Sequence, residues 1–227
     1  MIRKIGFYFI TDSRLSKNGI IDDTEKAIAG GSRIIQYRDK GKNYEEALLL
    51  ARSLRKITAK HGALLIINDS VSLCLDSAAD GVHLGQDDTK LHDARKLLSG
   101  RIIGVTAHNL KEALAAEADG ADYLGVSPIF PTFTKPDAGI AAGTALIRKI
   151  RLKVGIPIVA IGGINLKNAK DVIDSGADGI CAISAASGEN VEHKVKAFTS
   201  LFAKNQMRFR PSMEIGRKFF LKKKKDW

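Results

Sequence analysis

The chain has 227 residues, of which 44% are hydrophobic and 27% charged. That is the composition of a soluble globular protein with ample core for one large α/β domain or two small ones. The formal net charge is +11, but residues 204–227 hold nine Lys or Arg and two acids, so the remaining body carries only +4 and singles out no polyanionic partner. No apolar run approaches the ~18 residues a membrane helix requires. The N-terminus lacks the apolar core and cleavage site of a signal peptide, so the protein is expected in the cytoplasm. Cys74 and Cys181 lie far apart among apolar residues and read as inert buried thiols. The five histidines show neither HExxH nor HxH spacing, which argues against a histidine-based zinc site.

In chain order, residues 7–12 read as a strand with a polar end, and 23–30 as a helix stopped by Gly30-Gly31. A second strand spans 33–40, and 44–61 is an amphipathic helix stopped by Gly62. Strand 63–69 precedes helix 71–78, and strand 81–85 precedes helix 91–98. Strand 101–106 precedes helix 110–119, and strand 123–129 precedes helix 143–154. Strand 157–163 precedes helix 166–175, and strand 179–184 precedes helix 191–203. The strands are near-continuous apolar runs, as parallel strands covered by helices should be. Gly-Ala-Asp recurs at 120–122 and 176–178, with Ala78-Ala-Asp-Gly81 a variant, each between a helix and a strand. Eight repeated units predict a single-domain (β/α)8 TIM barrel over 1–203, followed by a basic extension, 204–227. The rival, an open doubly wound sheet, usually carries a glycine-rich turn after its first strand, and Thr11-Asp-Ser-Arg-Leu15 has none.

A barrel of this kind places its active site at the C-terminal strand ends. Gln36, Arg38 and Lys40 alternate there and share one face, so two cations enter the mouth and need an anion. Asn68 and Asp69 end strand three, and Gly85-Gln-Asp-Asp88 ends strand four. Asp69 and Asp88 form a candidate Mg²⁺ seat, since that ion takes one or two carboxylates plus substrate phosphate. Equally, either could cap the next helix. Thr106 and His108 end strand five, His108 being a general base or a structural brace. Pro128-Ile-Phe-Pro-Thr-Phe-Thr-Lys135 leaves strand six with Thr132, Thr134 and Lys135 able to seat phosphate. Gly162-Gly163 and Ser184, after strands seven and eight, fit a second phosphate site, although a tight turn would also require the glycines. Without a Ser–His–Asp pattern or a reactive cysteine, the residues point to chemistry on phosphorylated small molecules with a metal-assisted leaving group.

Five motifs stand in the order and spacing of thiamine phosphate synthase. They are Gln36-Tyr-Arg-Asp-Lys40, Ile67-Asn-Asp69, Gly81-Val-His-Leu-Gly-Gln-Asp-Asp88, Ile129-Phe-Pro-Thr-Phe-Thr-Lys135 and Ala160-Ile-Gly-Gly-Ile164. The chain resembles that family over roughly residues 5 to 200. The resemblance implies a Mg²⁺-dependent transferase that joins hydroxymethylpyrimidine diphosphate to thiazole phosphate, giving thiamine phosphate and pyrophosphate. It implies that Gln36, Arg38, Lys40, Asn68 and Lys135 hold the pyrimidine diphosphate, with Arg38, Lys40 and Lys135 the catalytic cations. Asp69 and Asp88 would bind Mg²⁺. Thr132, Thr134, Gly163, Ile183 and Ser184 would hold the thiazole phosphate. Thr106 stands near the diphosphate where the family usually has Ser, which keeps the hydroxyl, and Ser127 replaces a common Gly. Thiazole tautomerases, the nearest alternative, tend to carry a histidine at the position of Pro128 and to lack the full diphosphate and metal set. A further alternative is a non-catalytic barrel that binds RNA through the tail, where Phe209, Phe219, Phe220 and Trp227 flank Lys222–Lys225. No membrane partner is expected.

Overall fold

The computed structural model describes residues 5–132, 134 and 139–205. The assignments to Lys135 and to the extension past Asn205 lie outside the described residues. Strands and helices alternate as β1 (Gly6–Ile10), α1 (Ile20–Ala29), β2 (Ile34–Tyr37), α2 (Tyr44–Lys60), β3 (Leu64–Asn68) and α3 (Val71–Asp76). There follow β4 (Gly81–Leu84), α4 (Leu91–Leu97), β5 (Ile102–Ala107), α5 (Leu110–Ala118), β6 (Tyr123–Val126) and α6 (Gly143–Arg151). The chain continues through β7 (Ile158–Ala160), α7 (Ala169–Asp174), β8 (Gly179–Ile180) and α8 (Val191–Asn205). Each strand pairs in parallel with the next, and β8 pairs with β1 through Gly6↔Gly179 and Phe7↔Ile180, closing the barrel. The expected (β/α)8 barrel is thus the fold. No helix among the described residues is long and apolar enough to cross a membrane.

Alternation along each strand divides the core in two. Phe7, Phe9, Ile35, Tyr37, Leu65, Ile67, Val82 and Ile103 point outward into the layer beneath the helices. Tyr8, Ile10, Ile34, Ile66, Ile102, Tyr123, Val159 and Cys181 point inward and fill the barrel. Phe198 of α8 stacks on Phe7 with ring centroids 4.7 Å apart, seating the last helix against the first strand. Such aromatic pairs contribute about 0.5–1.5 kcal/mol beyond their area.

The recurring Gly-Ala-Asp motif has a structural reason. Asp80 Oδ2 accepts from Leu65 N, Asp122 Oδ2 from Ile103 N, and Asp178 Oδ2 from Ile158 N, at 2.7 to 2.9 Å. Each aspartate precedes an even-numbered strand and binds the first turn of backbone in the strand before it. Each also meets an arginine from the helix two units earlier: Arg55 with Asp80, Arg95 with Asp122 and Arg151 with Asp178. One device therefore stitches the lower rim ahead of β4, β6 and β8.

Several sequence-predicted strands are shorter in the structure. β2 stops at Tyr37, before Arg38 and Lys40, and β8 covers only Gly179–Ile180, before Ile183 and Ser184. β6 stops at Val126, ahead of the cis Ser127–Pro128 bond. Past that point the chain still pairs with the segment after β7, with Ile129 N donating to Ile161 O and Phe130 N to Gly162 O. The strands end where the mouth widens and their residues turn inward as loops.

Candidate active site

A cavity of about 620 Å³ opens at the C-terminal end of the barrel. That volume lies in the usual range for small-molecule sites. Gln36, Arg38, Lys40, Asn68, Asp69, Asp88, Thr106, His108, Thr132, Thr134, Gly163, Ile183 and Ser184 all line it. Every described residue singled out at the strand ends is therefore brought to one space.

One wall is cationic. Arg38 Nη1 donates to Asp12 Oδ2 at 3.2 Å, and Lys40 Nζ lies 4.0 Å from Asp69 Oδ2. The anion required by the two cations is thus supplied in part by the protein. Asp12 was not singled out from the sequence, although Thr11-Asp12 is a polar strand end like the others. Its carboxylate is buried and accepts from Arg14 N, Nε and Nη2 as well as from Arg38. Burial alone pushes the Asp12 carboxyl up, but the hydrogen bonds and charges of Arg14, with the charge of Arg38, outweigh it and hold it below the usual range. Thr11 Oγ1 clamps the Arg38 backbone, accepting from its N–H and donating to its carbonyl.

Next to that wall stand the two candidate metal ligands. Neither caps a helix: Ser70 Oγ caps α3 by accepting from Leu73 N, and Lys90 holds the N-cap position of α4. Asp69 is instead held at φ 65, in the left-handed region that a short polar side chain tolerates. Asp88 Oδ2 accepts from Gly85 N at 2.6 Å, which turns its carboxylate back over the mouth. No group of three or more His, Cys, Asp or Glu suited to a metal occurs among the described residues. Two carboxylates suit an oxygen-loving ion that completes its shell with water and phosphate.

The opposite wall is built from backbone. Gly162 and Gly163 both have positive φ, and a Cβ at Gly163 would lie 2.4 Å from Pro131 O. The tight turn and the cavity wall are therefore the same feature, because only glycine lets the two loops approach. Among the described residues the N–H groups of Gly163 and Ser184 have no protein acceptor, and they border the cavity with the hydroxyls of Thr132 and Thr134. Such N–H groups and hydroxyls suit an anion.

The floor holds a polar chain that sequence reasoning did not assemble. Gln36 Nε2 donates to Tyr8 OH at 3.0 Å, Tyr8 OH meets Tyr123 OH at 2.9 Å, and Tyr123 OH meets His83 Nδ1 at 3.0 Å. His83 Nε2 lies 2.9 Å from Thr106 Oγ1. Burial pushes the phenol pKa of both Tyr8 and Tyr123 well above the usual tyrosine range, so both remain protonated donors at neutral pH. Two strand glycines make room: a Cβ at Gly104 would strike the Tyr123 ring, and one at Gly125 would come within 2.7 Å of the His83 ring. The contacts span up to 115 residues of sequence, so no local pattern reveals them. The glycines inside apolar strands were the available signal.

His108 donates from Nδ1 to Ser127 O at 2.6 Å, and its backbone N–H donates to Glu112. That contact favours the structural reading, a brace between the loops after β5 and β6. Cys74 and Cys181 are both buried, and burial raises both thiols.

The comparisons agree with the geometry. The model of the thiamine monophosphate synthase family matches residues 7–186. A thiamine-phosphate synthase of Methanosarcina mazei is 44% identical over 203 residues, covering 88% of this chain and 84% of that protein. One from Methanospirillum hungatei is 51% identical over 183 residues, covering 79% and 88%. The solved thiamine phosphate pyrophosphorylase from Pyrococcus furiosus is 38% identical, superposes with a TM-score of 0.83, and covers 89% of this chain and 98% of that one. With most of its barrel matched in both sequence and structure, this chain belongs to the thiamine monophosphate synthase family.

Proposed function

We propose that the barrel mouth joins hydroxymethylpyrimidine diphosphate to thiazole phosphate, giving thiamine phosphate and pyrophosphate. The observation that carries this reading is one cavity with two anion seats on opposite walls and a polar, protonated floor between them. On this reading Arg38, Lys40 and Asn68 hold the diphosphate. Lys135, outside the described residues, is assigned there by its place in the motif. Asp69 and Asp88 would hold Mg²⁺, which when bound neutralises part of the diphosphate charge. Thr132, Thr134, Gly163, Ile183 and Ser184 hold the thiazole phosphate. The floor of Gln36, His83 and Thr106 offers donors and acceptors to the edge of an aminopyrimidine.

The chemistry follows from these positions. The bond between the pyrimidine methylene and its diphosphate oxygen breaks, and the electron pair leaves with pyrophosphate. The electron-rich ring stabilises the cation, and the thiazole nitrogen supplies the pair for the new carbon–nitrogen bond. The protein's part is to hold both phosphates, orient the ring and exclude water, which would otherwise capture the cation. The reaction is proposed to run in the cytoplasm on free small molecules.

The test is an assay of purified protein with both substrates and Mg²⁺, alongside Asp69→Ala and Lys135→Ala. Removing a charged group that acts in the reacting complex commonly costs about 10²-fold or more. Product that depends on Mg²⁺ and falls to that degree in both variants is expected. Absence of product from folded protein would overturn the reading.

A further inference from the structure

A carboxylate beside a diphosphate seat is at first sight a fault. Asp12 is only 3% exposed, stands at the mouth next to Arg38, and would repel an incoming anion. Its bonds show why it is tolerated. Oδ1 accepts from Arg14 N and Nε at 3.1 and 3.0 Å, and Oδ2 accepts from Arg14 Nη2 and Arg38 Nη1 at 2.7 and 3.2 Å. Two guanidiniums more than neutralise it. The Arg38 side chain is 12% exposed and its backbone is clamped by Thr11. Among the described residues, Nε and Nη2 of Arg38 have no protein partner, so those donors are available to phosphate oxygens.

We propose that Asp12 is a positioning residue that orients the Arg38 guanidinium towards the diphosphate, with Arg14 holding Asp12 in place from the solvent side. A guanidinium is planar, so one bond to Asp12 together with the backbone clamp determines the plane its other donors share. Without the carboxylate, the head of a long side chain regains rotamer freedom that must be lost again on binding. Arg14 is 65% exposed and does not line the cavity, which suits a brace better than a ligand.

This inference rests on the proposed diphosphate seat, and its test reads binding separately from turnover. Full-length protein is titrated with inorganic pyrophosphate in the presence of Mg²⁺, as wild type, Asp12→Asn, Arg14→Ala and Arg38→Ala, with both first variants repeated in the Arg38→Ala background. Losing a hydrogen bond to a charged group predicts a dissociation constant about tenfold higher in Asp12→Asn and a smaller rise, about threefold, in Arg14→Ala. Both effects should shrink to within about twofold once Arg38 is gone, because they act through it. In turnover, KM for the pyrimidine diphosphate should rise in Asp12→Asn while KM for thiazole phosphate stays put; Arg14→Ala is read by pyrophosphate affinity alone, because Arg14 Nη2 also donates to Thr134 O at 3.4 Å. If Asp12→Asn does not fold, Arg14→Ala decides, since it alters only an exposed side chain. Unchanged affinity in the folded variants, or equal losses with and without Arg38, would overturn the proposal. Wild type that binds pyrophosphate with this Asp12 dependence but forms no product would overturn the reaction and not the positioning role. Wild type that binds no pyrophosphate would overturn both.

Discussion

Asp12 and Asp122 are both carboxylates held by arginines away from open solvent, yet their ionisation is displaced in opposite directions. For Asp12, burial pushes the carboxyl up but the bonds and charge of Arg14, with the charge of Arg38, win and lower it. For Asp122, burial is the larger effect and the carboxyl is raised despite Arg95 and the Ile103 N–H. The signs follow by linkage. A lowered folded-state value means that Asp12 contributes stability above its unfolded value, and the contribution is lost as pH falls through the depressed value. A raised value means the reverse for Asp122, whose contribution is present below the unfolded value and is lost as pH rises through the folded one. Asp12→Asn should therefore flatten the loss of stability as pH falls below about 4, whereas Asp122→Asn should not. Urea midpoints measured across that range check both. At this scale the strand-end rule singled out Gln36, Arg38, Asn68, Asp69, Asp88 and Ser184, which all line the one cavity. It passed over Asp12 because its role depends on a partner 26 residues away, and over His83 because a histidine in an apolar strand carries no local sign of its neighbours.

At the scale of elements, the arginine–aspartate braces make the barrel's repeat physical. Arg95 donates to Asp122 and also to Gly120 O and Arg101 O, so one side chain ties α4 to the entrances of β5 and β6. Asp122→Ala would orphan the Ile103 N–H and leave Arg95 without its charge partner. It should cost about 1–3 kcal/mol, read as a lower denaturant midpoint with an unchanged slope. The motif was legible as a repeat, and its position between helix and strand was correct. Its function as a backbone acceptor for the preceding strand was not, since that requires the register Leu65, Ile103 and Ile158 share with it. Strand ends were read too long at β2, β6, β7 and β8 for a related reason. Apolar runs such as 179–184 continue past the last ladder bond, because loops that line a cavity are as apolar as the strands that enter it.

For the whole molecule, the family match ends at residue 186 and α8 runs to Asn205, beyond which lie most of the excess positive charges. We propose that the barrel, 1–203, is the complete catalytic unit and that the basic extension is separable from it. Deleting 208–227 should leave kcat/KM within about twofold. A steep loss of activity would place the extension in the working enzyme. A loss of salt-dependent RNA affinity on the same deletion would revive the nucleic-acid reading.

The alternation of eight strands and eight helices, the closed parallel barrel that follows from it, and the polar residues at the mouth were all legible in the order of residues along the chain. These are properties of periodicity, and periodicity is local. Five motifs in register also carried the resemblance to the family. Which polar groups meet is a property of the closed barrel. The Gln36–Tyr8–Tyr123–His83–Thr106 chain, the Asp12 grip on Arg38 and the two glycines that admit the floor's rings all join distant strands. Such contacts depend on the order, stagger and closure of the sheet, which bring together side chains whose sequence neighbours carry no trace of the encounter.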